Sequence, residues 1–192
     1  MDNMLKLLFE VGSLKRVTRT HCQTLHTSDW VDNIATHSFR VAFIAYYLAV
    51  LEGANPMICM CMGVVHDLTE TRCGDQNWVH KRYVAVNEEQ IVIDQLSDLS
   101  GGLLELAQEY HARESLESKV TKDADRLEQA MLLREYQLHG VSEATLWLEN
   151  FEENNPFDTG YGVVLFRKIK ETDPNVWWKD IWQRERIEFS KD

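Results

Sequence analysis

The stretch from Asn55 to Glu70 constrains the fold of this chain more than any other. Asparagine is a favoured N-cap and proline is favoured at the first helical position, so Asn55 and Pro56 predict the start of a helix. The residues that follow are apolar or small nearly all round the helix up to Val65, which predicts a central, buried helix. The run then meets His66 and Asp67. Because a buried charge is costly unless it is compensated, these two side chains must face a group that compensates them.

Helical patterns also dominate the rest of the chain. Only three prolines and nine glycines interrupt it, and no stretch shows the sustained period-two alternation of a strand. We therefore predict an all-α fold. The predicted helices cover residues 4–11, 34–52, 56–70, 87–99, 103–112, 116–139, 142–151, 163–169 and 175–186.

Length and composition indicate a single domain over residues 1–192, in which 141–192 form a C-terminal helical extension. The formal net charge of −11 argues against non-specific binding to nucleic acid or to an anionic membrane surface. It does not exclude an anionic small-molecule substrate, because a metal and a local basic patch can dominate the field at a site. Ser13 to Thr20 is such a basic segment, and it is either a solvated connector or an anion-binding loop.

The N-terminus lacks the pattern of a signal peptide, and we expect no membrane span and a cytoplasmic location. The cysteines form no CxxC pair and no disulfide framework. Trp177, Trp178 and Trp182 crowd the last predicted helix, where they either join the core or cover an interface.

Several polar residues fall on inward faces of the predicted helices. His37 shares a face with Ile34 and Val41, although a histidine there is more often a hydrogen-bonded core residue than a ligand. Together with His66, Asp67 and a carboxylate from the helix 116–139, it would give a nitrogen and oxygen site suited to a divalent metal. Asp123 and Asp125 lie ~200° apart on that helix, so only one can easily face the metal, and the periodicity does not decide which. A His–Asp hydrogen bond in a polar pocket is the alternative.

In this combination the chain resembles the HD-domain metal-dependent phosphohydrolases, and more narrowly their 5′-deoxynucleotidase-like branch. The resemblance covers about residues 12–134 and implies an HD-domain helical bundle with the metal site between central helices. The residues that carry it are Gly12 to Thr20, His37 within Ala35 to Ala42, His66-Asp67 with Glu70, Gly74-Asp75, and Asp123 to Leu127.

The resemblance implies a role for each matching residue. His37, His66, Asp67 and Asp125 would hold one divalent metal, with cobalt or manganese favoured over zinc, nickel, iron or magnesium. Glu70 would handle the attacking water. Arg19 would bind the phosphate, Asp75 would contact the sugar, and Lys81 would lie close to the substrate. The choice of Asp125 over Asp123 follows from the resemblance alone.

The implied activity is hydrolysis of (deoxy)nucleoside 5′-monophosphates to nucleoside and phosphate by a homodimer. Other readings are an HD phosphohydrolase for a cyclic or pyrophosphorylated nucleotide, a metal-binding regulatory domain without turnover, and a helical interaction domain. Two departures from the branch, Thr20 in place of a tryptophan and Gln76-Asn77-Trp78 after Gly74-Asp75, put strict selection of deoxyribose in doubt.

Overall fold

A computed structural model describes residues 1–28, 31–182 and 184, and it confirms the all-α fold class. Within these residues the only β-feature is an isolated antiparallel bridge between Thr18 and Asn33. A short 3₁₀ helix covers Leu14–Arg16. The α-helices are α1 (Asp2–Val11), α2 (Cys22–Leu25), α3 (Ile34–Glu52), α4 (Pro56–Val65), α5 (Glu70–Cys73), α6 (Trp78–Lys81), α7 (Glu88–Leu96), α8 (Leu103–Ala112), α9 (Leu116–Leu138), α10 (Ser142–Asn154), α11 (Gly160–Glu171) and α12 (Val176–Trp182).

Helices α3, α4 and α9 form the centre of the bundle. Each begins at a side chain that caps it: Asn33 accepts from the Thr36 amide, Asn55 from the Met57 and Ile58 amides, and Ser115 from the Ser118 amide. The main core lies between these helices, α10 and α11, and a second apolar cluster lies beneath α1, α7 and α8.

Gly63 sets the distance between α3 and α4. A Cβ atom at this position would lie 3.0 Å from the Cα atom of Ala42 and 3.1 Å from its amide nitrogen. Any side chain at this position would therefore push the two backbones apart by a few tenths of an ångström. The contact is one turn before His66, so it also fixes where the polar end of α4 lies relative to α3.

The predicted helix 56–70 was wrong over residues 66–69. Helix α4 ends at Val65, and α5 begins separately at Glu70. Between them the Leu68 amide donates to the Val65 carbonyl and the Glu70 amide to the Asp67 carbonyl. These are i to i+3 bonds, which tighten the chain relative to an α-helix.

Other boundaries also differ from the prediction. Helix α11 is longer than the predicted 163–169, because Thr159 caps it at its start. Its first turn contains Gly160 and Gly162, and glycines in a sequence pattern usually indicate the interruption of a helix. The short helices α2 and α6 lie in segments that the pattern left as loops. The part of the last predicted helix beyond Trp182 lies almost wholly outside the described residues. Trp177 and Trp182 are 71% and 80% exposed, so these two indoles do not join the core.

By length and composition alone, α3 could cross a membrane, which the sequence analysis did not anticipate. Buried core helices of soluble proteins meet the same criterion, so this is weak evidence. The face of α3 that carries Ile34, His37, Val41, Ala45 and Leu48 is buried against the rest of the bundle.

Candidate functional site

Four polar side chains from three helices converge at the centre of the bundle. His37 comes from α3, His66 and Asp67 follow the last turn of α4, and Asp125 comes from α9. The Nε2 atom of His37 lies 3.2 Å from Nε2 of His66, 3.4 Å from Oδ2 of Asp67 and 3.3 Å from Oδ1 of Asp125. His66 Nε2 lies 3.1 Å from Oδ2 of Asp67. We call these four residues the ligand cluster.

Both imidazoles are held by their second nitrogen. Nδ1 of His66 lies 2.9 Å from the Gly63 carbonyl oxygen, and Nδ1 of His37 lies 2.5 Å from Oε2 of Glu128. A carbonyl and a carboxylate can only accept, so each Nδ1 donates. In the neutral rings both Nε2 atoms then point lone pairs toward the two carboxylates, which requires a positive charge between them.

The charges of the ligand cluster support the same conclusion. Burial opposes ionisation of both carboxyl groups, but His66 lowers the pKa of Asp67 and Lys122 lowers that of Asp125, both well below the ordinary range. Burial and Arg19 oppose protonation of His37, yet Glu128, Asp125 and Asp67 raise its pKa well above the ordinary value. The site thus attracts a cation, and without a metal a proton on His37 meets this demand.

A divalent metal fits the ligand cluster. An ion with ligand bonds of ~2.1 Å holds neighbouring ligand atoms roughly 3.0–3.4 Å apart. His37, His66 and Asp67 meet this spacing, and Asp125 meets it toward His37, with a wider 3.9 Å to His66 Nε2. Two imidazoles with two carboxylates suit manganese, iron, cobalt, nickel or zinc.

Glu128 is a residue of this site that the sequence analysis missed. It is 3% exposed and accepts from His37 and from Nε and Nη2 of Arg40, at 3.0 and 2.8 Å. Burial raises its pKa, but His37, Arg19 and Arg40 outweigh burial and lower the pKa to about 2. The available signal was spacing: Glu128 lies three residues after Asp125 and Arg40 three after His37, so both pairs share helix faces.

Arg19 lies beside the ligand cluster and is 4% exposed. Its Nη2 lies 2.6 Å from Nε2 of His21, and its Nη1 has no hydrogen-bond partner among the described residues. Burial disfavours the charge, but Glu128, Asp125, Asp67 and Asp75 raise the pKa of the guanidinium. Oε2 of Glu128 lies 3.7 Å from this Nη1, too far for a hydrogen bond. A buried cationic N–H without a hydrogen-bond partner suits an anionic ligand. Lys15 and Arg16 from the same basic segment are exposed and belong to a solvated connector.

Glu70 and Asp75 lie near the same point. Oε2 of Glu70 is buried and has no hydrogen-bond partner among the described residues. Burial, Asp67 and Asp75 raise the pKa of Glu70 to about 10, against the opposing effect of Arg19 and His37. Asp75 accepts from the Thr20 amide and, at 2.7 Å, from the Thr20 hydroxyl. The residue that departs from the resembled branch therefore holds the aspartate expected to contact the sugar.

Asp123 points away from the ligand cluster. It is fully buried and accepts from the amides of Asp158 and Thr159, at 3.0 and 2.8 Å, and from the Thr159 hydroxyl at 2.8 Å. Arg126 also donates to it at 3.0 Å. Asp123 thus anchors the start of α11, and Asp125 is the aspartate that the structure brings to the histidines.

Lys81 lies apart from these residues. It is exposed on α6 and lines a cavity of about 660 Å³, together with His21 and other side chains from the α5–α6 connection, α9 and α10. Among the described residues of this wall, His21 is the one that lies within hydrogen-bond distance of Arg19. Lys81 is therefore at the rim of the site, without an ion pair to a described residue.

Comparison with known proteins agrees with this geometry. The HD domain family model matches residues 11–160. The 5′-deoxynucleotidase HDDC2 of Danio rerio is 30% identical over 151 residues, which are 71% of this chain and 71% of that protein.

Solved structures share the fold. The crystal structure of genomics APC5600 superposes with a TM-score of 0.77 and 30% identity, and the match covers 93% of this chain and 99% of the other. The HD phosphohydrolase DatZ of cyanophage S-2L, bound to dA and one catalytic Zn²⁺ ion, has a TM-score of 0.53 and 19% identity, with 85% and 96% of the two chains covered. With the match over residues 11–160, these similarities show that the chain belongs to the HD-domain family of metal-dependent phosphohydrolases.

Proposed function

We propose that this protein is a metal-dependent phosphomonoesterase that converts (deoxy)nucleoside 5′-monophosphates to nucleoside and phosphate. The observation that carries the proposal is the arrangement around the ligand cluster. A buried arginine and a buried glutamate lie beside one set of metal-type ligands, and each has a side-chain atom with no hydrogen-bond partner in the described part of the chain. The name of the zebrafish relative, a 5′-deoxynucleotidase, supports the same substrate class.

In this proposal one divalent ion is held by His37, His66, Asp67 and Asp125. When bound, it supplies a Lewis acid that offsets phosphoryl charge and makes water a better nucleophile at neutral pH. Cobalt or manganese is our first expectation, and the same donor set also accepts zinc, nickel, iron or magnesium.

The protein's own residues then bind the substrate and move a proton. Arg19 binds the phosphate oxygens through its free N–H, and Asp75 contacts the sugar. Glu70 orients the attacking water and takes its proton as the new phosphorus–oxygen bond forms. As the bond to the 5′-oxygen breaks, Glu70 passes this proton to the leaving oxygen. The first transfer requires the ionised form of Glu70, which the positive charge of a bound ion would favour over the protonated form that burial, Asp67 and Asp75 favour without it. Lys81 adds positive charge at the rim.

The assembly and location also belong to the proposal. We expect a homodimer, for which exposed Trp177, Ile181 and Trp182 on α12 offer apolar contact surface. The substrate is a small-molecule nucleotide rather than nucleic acid, since the net charge of −11 repels a polyanion. We further expect the protein to act in the cytoplasm, away from membranes.

Phosphate release from a panel of ribo- and deoxyribonucleoside 5′-monophosphates, with cobalt-loaded protein, tests this proposal. We expect Glu70→Gln to lower kcat by at least ~100-fold while cobalt binding is retained, because proton transfer by a placed side chain contributes about 10²–10⁴-fold. Glu89→Gln, at an exposed position on α7, is the matched control and should keep full turnover. Release from no monophosphate, or full turnover by Glu70→Gln, would contradict the proposal.

A further inference from the structure

The cavity of about 660 Å³ that Lys81 and His21 line has no part in the proton transfer described above. It lies between the α5–α6 connection, helix α9 and helix α10. The side chains that matter to its chemistry are His21, Gln76, Trp78, Gln129, Trp147 and Asn150. Its size is that of a pocket for a small organic molecule rather than for an ion or a few waters.

One wall residue contacts the reaction site, and two others are next to site residues in the sequence. His21 lies 2.6 Å from the Arg19 guanidinium. Gln76 follows Asp75 in sequence, and Gln129 follows Glu128, which holds His37. We therefore expect a substrate with its phosphate at Arg19 and its sugar at Asp75 to extend toward this cavity with the group that the sugar carries.

The cavity wall combines flat apolar surfaces with hydrogen-bonding groups. Trp147 packs edge-on against His21, with ring centroids 5.6 Å apart, and Trp78 is 64% exposed. The side-chain amides of Gln129 and Asn150 make no hydrogen bond to another residue in the described part of the chain. Each amide offers both a donor and an acceptor.

We propose that this cavity is the subsite for the nucleobase of the substrate, with the indole of Trp147 against the face of the base and the amides of Gln129 and Asn150 at its edge. Proteins that bind unpaired bases use this combination of an aromatic surface and polar groups at the base edge. The inference rests on the proposed function for the identity of the substrate. In this proposal helix α10 binds the base, although it supplies no residue of the ligand cluster.

The test compares nucleotides with a substrate that lacks the base. With cobalt-loaded protein, kcat/KM is measured for the four common deoxynucleoside 5′-monophosphates and for 2-deoxyribose 5-phosphate. We expect Trp147→Leu to lower the ratio of nucleotide to base-free kcat/KM by roughly 10-fold or more, as base–aromatic stacking implies. For Trp147→Phe, the ratio of nucleotide to base-free kcat/KM should stay close to the wild-type ratio. Gln129→Leu should change the ranking of the four bases.

Phe9→Leu is the control, because it also replaces an aromatic ring by leucine, at a position of α1 that is 82% exposed. It should leave the ratio unchanged. Thermal melting of each variant shows whether it folds. If Trp147→Leu does not fold, Trp147→Phe and Gln129→Leu still test the proposal.

Direct binding separates this inference from the proposed function. Saturation-transfer NMR with free deoxynucleosides reports base binding without turnover. If wild type releases no phosphate from any nucleotide but binds nucleosides through Trp147, the proposed function fails and the subsite stands. If wild type hydrolyses nucleotides and 2-deoxyribose 5-phosphate equally well, and Trp147→Leu and Trp147→Phe leave the ratio unchanged, the subsite is refuted and the activity stands.

Discussion

Asp123 and Asp125 are separated by one residue on α9, yet their carboxylates meet different partners. Asp125 lies 3.3 Å from His37 Nε2 and 2.8 Å from Lys122 Nζ. Asp123 is fully buried and accepts the backbone amides at the start of α11. Helix geometry separates two such side chains by ~200°, so one residue can serve the reaction site while the other serves the fold.

The first prediction at this scale separates these two tasks. We expect Asp125→Ala to lower cobalt affinity by at least ~10-fold, because it removes a proposed ligand. Asp123→Ala should instead lower the free energy of unfolding by about 2–4 kcal/mol, because it leaves the buried N–H groups of Asp158 and Thr159 without their acceptor. Calorimetric titration with cobalt and chemical denaturation measure the two effects. Loss of cobalt binding in Asp123→Ala alone would reverse the assignment.

A second prediction concerns Glu128, whose carboxylate holds the ring of His37. We expect Glu128→Gln to weaken cobalt binding by about 10–100-fold, the usual effect of removing the partner of a ligating histidine. The visible absorption of bound cobalt should shift as well, because the orientation of His37 changes. Glu135→Gln is the matched control: Glu135 also accepts from Arg40, at 2.6 Å, but its side chain is 39% exposed and forms no hydrogen bond or ion pair with His37. Equal effects of the two changes would refute this role.

At the scale of elements, the short helix α5 depends on α1 and α7 for its position. Oε1 of Glu10 accepts from Thr71, Arg72 and Gln95 at 2.8, 2.7 and 2.7 Å, and Oε2 accepts from Nη2 of Arg72 at 3.0 Å. One carboxylate therefore joins three helices. Because α5 begins with Glu70, this contact also fixes the residue proposed to handle the attacking water.

The pH dependence of stability tests this contact. The hydrogen bond from Arg72 lowers the pKa of Glu10, and bonds from Gln95 and Thr71 lower it further. They outweigh the opposing effect of burial, so the pKa falls from 4.5 to about 2. A lowered pKa stabilises the folded state above the unfolded value, and that contribution is lost as pH falls from 4.5 toward 2. We expect Glu10→Gln to cost about 2 kcal/mol at pH 7 and progressively less below pH ~4.5, measured by urea unfolding.

The control for this measurement is Glu171→Gln, since Glu171 and its partner Lys168 are each 71% exposed. An exposed ion pair contributes little to stability, so this variant should unfold like wild type at every pH. A cost for Glu10→Gln that stays constant between pH 7 and pH 2 would show that its charge is not the stabilising feature.

At the scale of the whole molecule, the bundle should be more stable with metal than without it. The ligand cluster draws two carboxylates and two imidazoles from α3, α4 and α9 to one buried point. We expect cobalt at 100 times its Kd to add about 2.7 kcal/mol to the free energy of unfolding, and a chelator to reverse the gain. Differential scanning calorimetry of wild type and His37→Ala measures this. A Tm that does not respond to cobalt, or an equal response of His37→Ala, would contradict it.

Much of this molecule could be predicted from local sequence signals. Asn33, Asn55 and Ser115 mark the starts of the three central helices because capping depends on residues within one turn. The end of α4 at Val65 was not predictable in this way. The helical spacing of side chains continues to Glu70, whereas the backbone changes to i to i+3 hydrogen bonds after Val65. The boundary of α11 was missed for a different reason: part of its cap is Asp123, 36 residues earlier in the chain.

The residues of the site also fall into those that local spacing predicts and those that depend on how the helices pack. Spacing placed His37, His66 and Asp67 on inward positions, but it left Asp123 and Asp125 equivalent until the resemblance distinguished them. Arg40 and Glu128 form hydrogen bonds across 88 residues, and Trp147 contacts His21 across more than a hundred. Such pairs depend on how α3, α9 and α10 pack, and a single sequence does not specify that packing.

The hydrogen bonds from Asp158 and Thr159 to Asp123 give the molecule a spectroscopic reporter. Their backbone N–H groups lie at the start of α11, and their acceptor is two residues from Asp125 on the same rigid helix. A change in charge or position at Asp125 therefore reaches these amides through one turn of α9. Their NMR chemical shifts can follow occupancy of the buried centre from outside it, without a label or a substitution at the site itself.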